Sequence, residues 1–189
     1  MNSTRYHTGL AITLLAMASL TSFSAESLPP GQVDFGKILP PDSGGDFVEV
    51  NIKSNLINMA ARLAAKSEPE VAEVLRGVQA IRVNVVGLNN SNRAATQERV
   101  KTIRSELGTQ GWERIVFAQS DKEDVGVYLK TRGDETVQGL VVTVMEGDKQ
   151  AVLVNIVGDF NPDKLAMLGE KFNIDPLKKM AGPFKKSNP

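Results

Sequence analysis

Histidine and cysteine carry much of enzymatic acid–base, nucleophilic and metal chemistry, and this chain almost lacks both. Its 189 residues include one histidine, His7, and no cysteine. His7 lies ahead of an apolar run from Leu10 to Leu20, in a stretch that reads as an export signal. Past that stretch, Ser-His-Asp and Cys-His catalysis cannot be assembled, nor can the usual zinc, copper or haem ligand sets. No Gly-x-Ser-x-Gly, Ser-x-x-Lys or Gly-Lys-Ser/Thr phosphate loop occurs, and no flavin or nicotinamide fingerprint. Gly44-Gly45 has neither the lysine nor the preceding strand that a phosphate loop needs.

Carboxylates are the remaining reactive groups. Asp121, Glu123 and Asp124 crowd one turn, and Asp42 and Asp46 flank Ser43-Gly44-Gly45. Hard cations such as calcium take oxygen ligands from such clusters. Lys122 sits inside the first, however, and neither matches an EF-hand loop with its closing glutamate, so solvated turns are the expectation. Paired carboxylates can hydrolyse glycosides, but the sequence singles out no such pair. The expectation is a non-enzyme with no catalytic residues, no cofactor and no metal site. A possible binding surface comprises Trp112, Tyr128, Lys130 and Arg132, with Arg114 beside them, because aromatic and arginine side chains are enriched at binding hot spots. The competing reading puts Trp112 on the core and makes Tyr128 an ordinary sheet residue.

These residues belong to a run of four strands. Trp112–Gln119 is rich in aromatic and β-branched residues. The polar run from Ser120 to Asp124 separates it from a strand with Val125, Val127 and Leu129 on one face and Tyr128, Lys130 and Arg132 on the other. That alternation predicts one buried and one wet face. Turns at Gly133-Asp134 and Gly147-Asp148 introduce strands 137–146 and 151–157, the latter apolar throughout except for Asn155.

Ahead of this meander, 28–45 is a Pro/Gly-rich lead-in whose Val33, Phe35, Ile38 and Leu39 can dock on the core. A strand over 47–52 follows. Ser54 then caps a helix to about Lys66, with Leu56, Met59, Ala60 and Leu63 at helical spacing. Pro69 opens a second helix that ends near Gly77. Strand 78–88 carries Ile81, Val83 and Val85 on one face. A four-turn helix after Asn92 carries Thr96, Val100, Ile103 and Leu107 on one stripe. Asn161-Pro162-Asp163 starts a closing helix with Leu165 and Leu168 inward; the apolar residues Leu177, Met180 and Phe184 follow in a frayed tail. Helices early and antiparallel strands late predict an α+β two-layer sandwich: about six strands, with two main helices on one face and the other face free.

The organisation expected is a signal peptide over 1–24, a lead-in over 25–45, one domain over 46–172 and a flexible tail over 173–189. Arg5, the short apolar run, and Ser22 and Ser24 as small residues before cleavage make the signal. The run is well short of the roughly 20 residues that span a bilayer. No cysteine follows for lipid attachment, so export without an anchor is expected, to the periplasm or the exterior. Basic and acidic residues balance at 22 each, or 21 to 22 without Arg5, which leaves no electrostatic footprint for nucleic acid.

The strand–helix opening over 47–65, the run Val125-Gly126-Val127-Tyr128-Leu129 and the ending Val154-Asn155-Ile156-Val157-Gly158 together resemble an uncharacterised exported bacterial family, domain-of-unknown-function family 4252. The resemblance covers roughly 47 to 168. It brings no catalytic residues, since the family has no established activity. Members lying beside genes for extracytoplasmic-function sigma factors imply an envelope-associated regulatory or stress role. Residues and resemblance together lead to an exported non-catalytic envelope protein that binds another protein through an open sheet face or edge strand. A carrier of a small apolar ligand and a carboxylate-dependent hydrolase are the alternatives.

Overall fold

Among the described residues, nine elements follow one another much as the periodicities predict. Strand β1 (Phe47–Lys53) leads into helices α1 (Ser54–Ala64) and α2 (Pro69–Gly77). Strand β2 (Val78–Gly87), helix α3 (Arg93–Thr109) and strands β3 (Glu113–Gln119), β4 (Asp124–Arg132), β5 (Thr136–Glu146) and β6 (Gln150–Phe160) complete the order. This computed structural model describes residues 28–133 and 136–161. The expected signal peptide, the closing helix from Pro162, the tail, and Asp134 of the β4–β5 turn lie outside them.

The six strands form one antiparallel sheet in the order β1-β2-β6-β5-β4-β3. Its register aligns β-branched residues across the whole width. Val48, Val85, Val152, Val144, Val125 and Ala118 make one row; Val50, Val83, Val154, Val142, Val127 and Val116 make the next. Ile52, Ile81, Ile156, Leu140 and Leu129 make a third on the same face. Cross-strand pairs of this kind are the unit of sheet stabilisation, and slipping one strand by one residue would turn its valines to the other face.

The α+β class and the antiparallel six-stranded sheet are as expected, whereas the helices are shared between the faces. Val100, Ile103 and Leu107 of α3 pack with Tyr128, Val141, Met145 and Leu153 on one face. Ile57 of α1 and Leu75 of α2 pack with Leu140, Leu129 and Ile156 on the other. The face of β4 expected to be wet is therefore covered by α3. Period two fixes which residues share a face, but not whether a helix returns over it.

The lead-in also lies on the α3 face, with Val33 and Phe35 buried, Ile38 packed against them and Leu39 exposed. Asn155, the polar exception in β6, explains its position. Its Oδ1 accepts from the Val33 N–H at 2.9 Å, and its Nδ2 donates to the carbonyls of Gly31 at 2.9 Å and Leu140 at 3.2 Å. The lead-in crosses β5 where both backbones are glycine: a Cβ on Gly139 would stand 2.6 Å from the Gly31 Cα and from the Trp112 ring. Buried Asn92 fastens the β2–α3 loop by donating to the Gly87 carbonyl at 2.9 Å.

Candidate interaction surface

The four residues expected to form a binding surface do not share one. Trp112 and Tyr128 are core residues, 7% and 3% exposed, beneath the lead-in and α3. The Tyr128 ring fills the space that a side chain on Gly126 would need. The Lys130 ammonium donates to the Gln110 carbonyl, and exposed Arg132 pairs with Asp159 at 3.2 Å. An aromatic residue on an alternating strand carries the same sequence signal whether a helix covers it or a partner does. The outer-face surface read from that signal is not formed.

The acidic turns are also accounted for. Arg104 of α3 takes Asp124 with its Nη1 at 2.8 and 3.0 Å, while its Nε donates to the Thr143 hydroxyl at 3.0 Å. This ties α3 to β4 and β5. Asp121 and Glu123 line a groove of about 290 Å³ with Lys101 and Lys122, so charges of both signs face it. Asp42 accepts from the Asn89 amide at 2.9 Å. Hydrogen bonds from Ser91 and Asn89 hold its carboxyl below the usual value. No cluster of three or more potential metal ligands occurs among the described residues.

A different surface stands out by its apolar exposure. Eight large hydrophobic residues are exposed among those described, and five of them lie on β1 and α1: Phe47, Val48, Leu56, Met59 and Leu63. Helix α1 has a single charged residue, Arg62, and more apolar surface than it can bury. Ile57 and Ala61 turn inward, each 2% exposed. Leu56, Met59, Ala60 and Leu63, the stripe expected to face the core, turn outward instead, with Leu63 72% exposed. Their spacing of 0, 3, 4 and 7 is that of a helix–helix seam. Two stripes compete on this helix, and spacing alone favours neither. The surplus of apolar residues around it was the available signal.

The strand beside α1 is open along its backbone. The Asp46 carbonyl accepts from the Gly87 N–H at 2.6 Å, which sets the phase of the β1–β2 ladder. Continuing that register, Val48, Val50 and Ile52 exchange hydrogen bonds with Val85, Val83 and Ile81. The N–H and C=O groups of Phe47, Glu49 and Asn51 and the N–H of Lys53 therefore point away from β2, while the Lys53 carbonyl, at the N-cap, accepts within α1. Strand β1 pairs with no other strand among the described residues. The strand has no bulge and no proline. Exposed strand edges of this kind are templates for pairing.

Residues 43–168, two thirds of the chain, match the model of a family described as a domain of unknown function, DUF4252. Neither a curated protein nor a solved structure matches. No helix among the described residues is long and apolar enough to cross a membrane.

Proposed function

The chain belongs to the DUF4252 family, and on that premise we propose that it is an exported, non-catalytic envelope protein that works by binding another protein chain. The observation that carries this reading is the concentration of exposed apolar residues on β1 and α1 beside an open strand edge. A surface of this composition costs solubility unless something covers it. The charge balance and the lack of histidine and cysteine beyond His7 support a binding rather than a chemical role. The apolar run from Leu10 to Leu20 with small residues after it supports export. Edge pairing plus an apolar helix stripe is a known route to protein recognition: the backbone supplies affinity and the side chains supply selectivity.

Crosslinking the tagged chain in intact cells, followed by fractionation and mass spectrometry, tests this. The expected result is a single dominant crosslinked species in the envelope fraction that disappears when Met59 and Leu63 are both changed to Glu. A chain found in the cytoplasm, or a crosslinking pattern indifferent to those changes, would overturn the reading.

A further inference from the structure

We infer that the chain covering this surface is a second copy of the same protein, joined antiparallel through β1 about a two-fold axis at Val50. This deepens the protein-binding reading and rests on it. The inference comes from the self-complementarity of the strand. In an antiparallel pairing of β1 with itself, the residues whose backbone groups point outward must face one another. With the axis at Val50, Glu49 faces Asn51 of the second copy and can exchange both bonds with it. Phe47 faces Lys53, whose N–H is free of the α1 N-cap bond, so each of the four outward-pointing residues meets another.

The side chains agree with that register. On the valine face, Val48 meets Ile52 of the second copy and Val50 meets its counterpart, so the apolar rows of the sheet run unbroken into the partner. On the other face Glu49 lies diagonal to Lys53 of the second copy, an attractive pair formed twice that offsets the single Glu49–Glu49 diagonal across the axis. Moving the axis to Glu49 would set two like charges opposite each other. Moving it to Asn51 would leave Phe47 and Val48 facing residues beyond the strand end. The seven residues match themselves best in the register that also pairs the whole strand.

Helix α1 provides a second contact about the same axis. It begins at Ser54, directly after β1, and lies over β1 and β2 at this end of the sheet. Its outer stripe has a small residue, Ala60, between Met59 and Leu63. A small residue in such a seam allows two helices to approach closely. Closed two-fold symmetry uses up both open edges at once, whereas a head-to-tail contact would leave one to propagate.

The absence of cysteine makes the register directly testable in the full chain as the cell processes it. A Val50→Cys variant should oxidise to a disulfide-linked dimer, because facing non-hydrogen-bonded residues in antiparallel strands bring their Cβ atoms close together. Val48→Cys alone should not crosslink, whereas Val48→Cys mixed with Ile52→Cys should. Sedimentation equilibrium should give twice the chain mass for the natural sequence. Asn51→Pro should reduce this to the single-chain mass with an unchanged circular dichroism spectrum, since that residue's N–H is not used within the chain. Leu63→Glu should raise the dimer dissociation constant about tenfold or more.

A single-chain mass at all concentrations, or efficient crosslinking by Val48→Cys alone, would overturn the self-pairing. If Asn51→Pro fails to fold, the cysteine variants still decide. A monomer that captures a different protein in cells, sensitively to Met59→Glu and Leu63→Glu, would overturn the second copy as occupant and leave the broader reading standing. A monomer that captures nothing would overturn both.

Discussion

At its β3 end the sheet finishes in a strand that is broken, charged and partly shielded. The register of β3 against β4 shifts between Arg114 and Val116, leaving Ile115 as an extra residue. Glu113 and Arg114 precede that bulge, and the Arg114 guanidinium lies over the exposed Phe117 ring at 4.8 Å. At the β1 end the strand is regular for seven residues, and its exposed apolar residues continue onto α1. Bulges and charges are the usual devices that stop an edge from pairing. Both edge strands carry two charged residues, Glu113 and Arg114 on β3 and Glu49 and Lys53 on β1, but only β3 has a bulge, whereas β1 has an unbroken ladder. That asymmetry points to β1 as the edge left open for use, since the ladder is interrupted at β3 and regular at β1.

The comparison is sharpened most by α1, whose two stripes should respond oppositely to substitution. Ile57→Ala empties a buried site and should lower stability by about 2–4 kcal/mol. Leu63→Glu, one face away, should change the stability of the isolated chain by roughly 0.5 kcal/mol or less. Denaturant titration at low protein concentration reads both. Equal losses would place the outer stripe in the chain's own core and remove the contrast between the edges.

Asn155→Ala should cost about 1–3 kcal/mol, because the Val33 N–H and the Gly31 carbonyl lose a buried partner. The lead-in it holds borders the polar side of β1, across a groove of about 320 Å³ lined by Asp34, Lys37, Glu49, Asn51, Arg82 and Asn84. Hydrogen exchange should therefore accelerate most at Val33, less at the β4 amides around Tyr128 that the lead-in also covers, and not at β3. Faster exchange at β3 as well would mean that the lead-in supports both ends of the sheet.

Arg114→Ala should cost about 0.5–1 kcal/mol, the worth of an exposed cation–aromatic contact. It should also increase concentration-dependent light scattering, since it uncovers Phe117 at the shielded edge. No change in scattering would leave the bulge as the sole protection of β3.

The smallest effect concerns the anchor ahead of β1. The Asp42 carboxyl is held below its ordinary value by Ser91 and Asn89, so the folded state favours its charged form. A depressed folded value gives stability that is present above the unfolded value of about 3.9 and is lost as pH falls through the folded one. Asp42→Asn should lower the thermal midpoint slightly at neutral pH, with the difference from the natural chain vanishing in acid. A constant difference across pH would detach Asp42 from the stability of this end.

Much of the molecule is written in local periodicity. The β3–β6 meander is legible because alternating valines, leucines and isoleucines are punctuated by polar or glycine-containing turns, and α3 because Val100, Ile103 and Leu107 define one clear stripe. The candidate surface is much less legible. Leu56, Met59 and Leu63 have the spacing of a core stripe, yet Ile57 and Ala61 are the residues buried. Tyr128 and Trp112 look like surface recognition residues because aromatics serve cores and interfaces alike.

The sequence by itself determined the elements, their order, which residues share each strand face, and the near-absence of histidine and cysteine chemistry. Tertiary structure decided that β2 pairs with β6, which leaves β1 and β3 as the edges. It also decided that α3 and the α1–α2 pair cover opposite faces, and that the second stripe of α1 stays outside. Periodicity sets the relative directions of neighbouring side chains, whereas the side that becomes interior depends on contacts between residues far apart in the chain.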